Sequence, residues 1–182
     1  MPLAIGMVEF KSIAQGITAA DAMLKAAEVQ LLQASPVCPG KYVVIVGGEV
    51  AAVQSSVSTG INAASAVVVD SLVIPNVHED LFPALSATTQ VERIDALGII
   101  ETFSIASGIV AADLAAKAAN VKLIEVRIGR GLGGKAFVLL TGEVSAVRAA
   151  VDAGARYAIQ AGQLVDCQVI PSPHPDLIPT LL

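Results

Sequence analysis

The chain repeats itself, and the repeat limits the folds open to it more tightly than any other feature. Gly6-Met7-Val8-Glu9 returns as Gly98-Ile99-Ile100-Glu101, and Gly16-Ile17-Thr18-Ala19-Ala20-Asp21 returns as Gly108-Ile109-Val110-Ala111-Ala112-Asp113, each 92 residues later. Lys25-Ala26-Ala27 and Lys117-Ala118-Ala119 keep the same offset. Beyond Cys38 the offset grows to 94, where Gly48-Glu49-Val50 matches Gly142-Glu143-Val144. Near the end it is 96, where Ile74-Pro75 and His78 match Ile170-Pro171 and His174. Self-similarity on this scale means one folding unit of about 90 residues used twice. The second copy holds two extra residues in the loop that corresponds to the Cys38 region.

Each copy predicts the same order of elements. Residues 3–11 have the Ile, Val and Phe content of a strand. Residues 12–28 predict a helix whose small side chains (Ala19, Ala20, Ala22, Ala26, Ala27) let it pack close to a sheet. Residues 29–34 and 42–46 predict two strands paired as a hairpin, with Ser35-Pro36-Val37-Cys38-Pro39-Gly40-Lys41 at its tip. Residues 49–64 predict a second helix, apolar at Val50, Val53, Val57 and Ile61. Glu49 stands at its N-terminal end, where a carboxylate suits the helix dipole. Residues 67–74 predict a last strand stopped by Pro75, and residues 78–85 a short turn or helix. The order β-α-β-β-α-β is the split βαβ, ferredoxin-like arrangement of the α+β class, with helices on one face of an antiparallel sheet. The expected domains are 1–88 and 95–182, joined by a polar linker at 89–94.

Composition says what surrounds such units. Hydrophobic residues make up 54% of the chain and charged ones only 15%, against about 25% in an ordinary soluble protein. Much of the surface is therefore expected to be covered by protein, through obligate oligomerisation or lateral assembly. A membrane does not explain it. The longest uncharged run, residues 50–69, is broken by Gln54, Ser55, Ser56, Ser58, Thr59, Gly60 and Asn62, and a spanning helix needs roughly 18 apolar residues. The first six residues carry no basic segment or cleavage pattern, so a cytosolic location is expected. Net charge is −5, and the 11 basic residues are scattered, with no aromatic platform beside them; nucleic acid is not an expected partner. Two cysteines in a cytosolic chain do not predict a structural disulfide.

No nucleophile-base constellation, phosphate loop or paired CxxC is present, so no catalytic residues are assigned and the chain is not expected to be an enzyme. Glu9 and Glu101 are repeat equivalents, read as strand-edge carboxylates rather than an acid pair. His78 with Asp80, and His174 with Asp176, offer too few ligands for a metal and read as capping and subunit contact. Cys167 lies in the alternating strand 165–169 and reads as a sheet position. Cys38 differs, because Pro36, Pro39 and Gly40 hold it in a loop. It is either a small hydrophobe or one soft ligand, and a single thiolate does not hold an iron–sulfur cluster.

Ala-Ala-Asp-Ala-Met-Leu-Lys-Ala-Ala at 19–27, Gly-Glu-Val-Ala-Ala-Val at 48–53 and Ile-Pro-Asn-Val-His at 74–78 resemble the signatures of bacterial microcompartment shell domains. Arg-Ile-Gly-Arg-Gly-Leu at 127–132 resembles the family's Gly-rich pore loop. Two copies in unpermuted order resemble the tandem-domain shell proteins, which form pseudohexameric trimers that mimic hexagonal tiles. Cys38, together with Arg-Gly-Leu-Gly-Gly-Lys at 130–135, resembles the trimeric T-type subunits of propanediol-utilisation shells, whose central opening holds a 4Fe-4S cluster.

The resemblance implies a structural protein in a shell within the cytoplasm, with other shell proteins as lateral partners and lumen redox enzymes as electron partners. It implies a homotrimer in which Cys38 supplies three thiolates around one axis, leaving one iron free. Val37, Pro39, Gly40, Gly129, Arg130 and Gly131 would line the pore, with Arg130 favouring anions or balancing the cluster. Lys25, Lys117, Asn76, His78 and His174 would make the tile-edge contacts. The family's Ile-Pro-Arg-Pro-His edge motif has Asn76 and Ser172 in place of its Arg, which shifts that burden to the two lysines. Two other readings stay open: a metal-free trimeric tile with a small-metabolite pore, and a small-molecule-sensing trimer of ferredoxin-like domains.

Overall fold

The structure, a computed structural model, describes residues 4–181. Leu3, at the expected start of the first strand, and Leu182, at the expected end of the second domain, lie outside the described residues. The chain divides into two compact units between Val77 and His78.

In the first unit the elements are β1 (Ala4–Phe10), α1 (Ile13–Ala26), β2 (Gln30–Val37), β3 (Lys41–Gly48), α2 (Val50–Ala63) and β4 (Val68–Pro75). The strands form one antiparallel sheet in the order β2-β3-β1-β4. Strand alternation puts Ala4, Val8 and Phe10 against Ala19, Ala20 and Met23 of α1 and Val53 and Val57 of α2. Gly6 shares that face, and a Cβ there would stand 2.5 Å from Val57 Cγ2. A side chain at position 6 would thus push α2 off the sheet. The helix α1 starts where Ser12 accepts a hydrogen bond from the Gln15 N–H (3.4 Å).

The second unit repeats the plan with β5 (Ala96–Thr102), α4 (Ile105–Ala118), β6 (Val121–Ile128), β7 (Ala136–Gly142), α5 (Val144–Gln160) and β8 (Leu164–Ile170). Its sheet order is β6-β7-β5-β8, again antiparallel. Both sheets have the split βαβ topology expected from the element order.

Two boundaries differ from expectation. The strand β2 runs on to Val37, because residues 35–37 keep pairing with Lys41, Tyr42 and Val43. The domain boundary also moves. The expected first domain ends at residue 88, yet residues 78–88, with the short helix α3 (Leu81–Leu85), group with the second unit. The cause is a set of anchors there: the His78 N–H donates to Asp113 Oδ1 (2.8 Å) and Lys122 Nζ lies 2.7 Å from Asp80 Oδ1. Nor is the expected linker 89–94 polar throughout, since Ile94 is buried in a cluster with Leu97, Ile124 and Leu139.

Candidate functional site

The residues singled out in the sequence fall on two hairpin tips and two tails. In the first unit Val37 pairs with Lys41, leaving Cys38, Pro39 and Gly40 as the turn. Gly40 has φ 79°, a conformation that favours glycine, and the Cys38–Pro39 peptide is cis. Val37 is buried, Cys38 half-buried, and Pro39 and Gly40 exposed. The thiol is thus offered at the end of a rigid ladder and does not sit in the hydrophobic core.

The second tip is longer. Ile128 pairs with Ala136, and the intervening turn has positive φ at Gly129, Gly131, Gly133 and Gly134. A Cβ at Gly131 or Gly133 would meet nothing within 4 Å, so those glycines serve backbone conformation and not close approach. Arg130 is exposed between two of them, and among the described residues it forms no ion pair.

Each tip is tied to the centre of its sheet by a cation at the start of the return strand. Lys41 Nζ lies 2.9 Å from Glu9 Oε1, with the Glu9 side chain 3% exposed. Lys135 Nζ lies 2.5 Å from Glu101 Oε1, with that carboxylate 34% exposed. The strand-edge reading of Glu9 and Glu101 is therefore corrected, because both sit on the inner strands β1 and β5 and hold the hairpins. The sequence carried a signal for this: a Glu and a Lys recur in register in both copies.

The tile-edge candidates are scattered over other elements. Lys25 and Lys117 occupy the last turns of α1 and α4 and pair with Asp21 and Asp113, each at 2.6 Å. Asn76 is exposed just after β4 with φ 53°. His78 Nδ1 accepts the Asp80 N–H (3.3 Å) and His174 Nδ1 accepts the Asp176 N–H (3.2 Å), so both histidines cap their own turns. Among the described residues no three His, Cys, Asp or Glu side chains come together as a metal site. Cys167 is half-buried on the edge strand β8. Burial, then the charges of Asp166 and Asp152, push its thiol pKa up, the opposite of what a ready ligand or nucleophile needs. Among the described residues no helix is long and apolar enough to cross a membrane.

Two antiparallel split βαβ sheets in one chain, each closed at one end by a Lys–Glu-tied hairpin, define a duplicated α+β domain. The chain belongs to the BMC-domain family, whose domain matches residues 4–77 and again 96–173; it is a shell protein of a bacterial microcompartment. It is 47% identical over 174 residues to the bacterial microcompartment shell protein PduT of Citrobacter freundii, covering 96% of this chain and 95% of that one. The crystal structure of a microcompartments protein from Desulfitobacterium hafniense DCB superposes with a TM-score of 0.93 at 59% identity, covering 97% of this chain and 98% of that one. The shell protein EutM of Salmonella typhimurium is 47% identical over 85 residues, which is 46% of this chain and 85% of EutM. This family is structural in role.

Proposed function

We propose that this shell protein works as a homotrimeric tile, with the Cys38 hairpins meeting at the three-fold axis to hold one 4Fe-4S cluster. The observation that carries the trimer is a difference between equivalent helices. Ile105, Ile109 and Ala116 of α4 are 0%, 0% and 5% exposed. Their counterparts Ile13, Ile17 and Leu24 of α1 are 37%, 53% and 38% exposed. An apolar face that the fold covers in one copy and leaves bare in the other is incomplete in a lone chain. Two domains per chain and three chains per ring make six equivalent positions, the count a hexagonal tile requires.

The fit of a cluster rests on the donor set. Cys38 is a free thiol on a half-exposed turn, and it is the only soft ligand this tip brings, so protein ligation needs three chains. Three thiolates would leave one iron without a protein ligand. When bound, the cluster supplies one-electron transfer between the two faces of the shell. The chain's own residues do the holding. The Lys41–Glu9 ion pair fixes the base of the hairpin, and Arg130, if the second tips face the same axis, offsets the negative charge of the site. Purified anaerobically, the protein should be brown and contain iron and sulfide near 4:4 per trimer. Cys38→Ser should remove the colour and the EPR signal of the reduced protein while light scattering still gives a trimer. Wild-type protein without iron after anaerobic reconstitution would sink the cluster.

One observation favours a second reading, a metal-free tile that passes small anionic metabolites. Arg130 is exposed between two glycines of positive φ, with no acidic partner among the described residues. Under that reading Arg130→Ala changes the permeability of the assembled shell to anions, and Cys38→Ser changes nothing.

A further inference from the structure

The two histidine-bearing tails match in sequence and in shape but not in surroundings. In the first, the His78 N–H donates to Asp113 Oδ1 (2.8 Å), Lys122 holds Asp80 (2.7 Å), and the segment packs on β6 and α4 with Leu81 and Ala84 fully buried. In the second, the same internal bonds recur. The Leu177 N–H donates to the His174 carbonyl (2.9 Å) as Leu81 does to His78 (3.1 Å), and the Asp176 N–H donates to His174 Nδ1 as Asp80 does to His78. Yet the His174 and Asp176 side chains are 75% and 93% exposed, and Leu177, the counterpart of Leu81, is 39% exposed. This tail has the shape of a docked segment and lacks its dock.

A dock of the same design exists elsewhere on the chain. Asp21 is the counterpart of Asp113 and holds Lys25 through Oδ2, as Asp113 holds Lys117. Among the described residues Asp21 Oδ1, the counterpart of the oxygen that takes the His78 N–H, has no partner. Leu31 on β2 is 43% exposed where its counterpart Leu123 on β6 is fully buried.

We propose that residues 171–180 of one copy seat on α1 and β2 of the next, with the His174 N–H donating to Asp21 Oδ1. Leu177 then takes on the neighbour's β2 the place that Leu81 takes on β6, and covers the apolar surface that Leu24 and Leu31 expose. One contact is not reproduced, because Gln30 stands where Lys122 does; Asp176 meets an amide donor and the clasp between copies loses an ion pair. Tail and dock are different surfaces, so the contact runs head to tail, the kind that builds a ring where its rotation closes, instead of pairing two chains face to face. The inference rests on the trimer reading only for the number of chains at which the ring closes.

The test uses the full-length chain with Cys38→Ser and Cys167→Ser, adding Asp21→Cys and His174→Cys together. A backbone N–H bonded to a carboxylate places the two residues within reach of a disulfide, so oxidation should link chains covalently into trimers on a non-reducing gel at unchanged native mass. Separately, Leu177→Asp in the wild-type background should leave the circular dichroism spectrum intact and raise the trimer dissociation constant at least tenfold. An intact trimer that forms no interchain disulfide, or whose dissociation Leu177→Asp leaves unchanged, overturns the clasp and spares the trimer. A wild-type chain that is monomeric by light scattering takes down both.

Discussion

Gly60 and Gly154 occupy the same place in the two repeats, 94 residues apart in the C-terminal halves of α2 and α5, and they should respond differently to alanine. In a helix the change from glycine gains about 1 kcal/mol of intrinsic stability. Against that stands overpacking, typically about 1–3 kcal/mol. At Gly154 a Cβ would lie 2.7 Å from the Ala111 carbonyl oxygen and 2.6 Å from Ile100 Cδ1. The first of these is backbone of α4, which moves only if the whole helix moves, so the cost falls at the top of the range. Gly154→Ala is expected to lose about 2 kcal/mol net. At Gly60 the obstacle is Met23, with Cγ and Sδ at 2.6 Å. That side chain is fully buried but has three rotatable bonds and yields more readily than backbone, so the cost falls at the bottom of the range and Gly60→Ala comes to about zero net. For a chain this size about 2 kcal/mol is roughly 4–8 °C in melting midpoint. The assay is thermal unfolding followed by circular dichroism, with both variants at one protein concentration because assembly shifts midpoints. A Gly60→Ala midpoint as low as that of Gly154→Ala would refute the idea that the kind of neighbour, backbone or flexible side chain, sets the cost.

Two further outcomes follow from the charges. Lys41→Met strands the nearly buried Glu9 carboxylate and should cost about 3 kcal/mol in urea unfolding, whereas Lys135→Met, whose partner Glu101 is a third exposed, should cost about 1 kcal/mol or less; equal losses would contradict the burial argument. Cys167 has its thiol pKa raised by burial, Asp166 and Asp152, so at a given pH it carries less thiolate than in the unfolded chain. Its alkylation, followed by mass spectrometry, should need a higher pH in the native protein than in urea, and Asp152→Asn should move that profile back down. The sign for stability is the same: the thiol favours the folded state below its unfolded pKa, and that contribution fades as pH climbs toward the raised value. A native profile at lower pH than the unfolded one would reverse the assignment.

Much of the architecture was legible because it depends on local chemistry that the repeat states twice. Ile, Val and Phe content marked the first strand, the small residues of 12–28 marked a helix close to a sheet, and Pro39-Gly40 marked the turn that presents Cys38. Other features depend on what lies across space. Glu9 meets Lys41 only because β1 and β3 are neighbours in the sheet. Residues 78–88 follow the first repeat in sequence but are held by Asp113 and Lys122 of the second unit.

By itself the sequence determined that one α+β unit is built twice, with a single cysteine at a hairpin tip in the first copy and a glycine-rich arginine loop in the second. Tertiary structure alone decided that equivalent residues lead different lives: Ile17 is 53% exposed and Ile109 fully buried, and Leu177 is exposed while Leu81 is not. Strand and helix pattern is a property of neighbouring residues, whereas burial belongs to whatever packs against them. Two identical side chains differ in energy only once their surroundings are known.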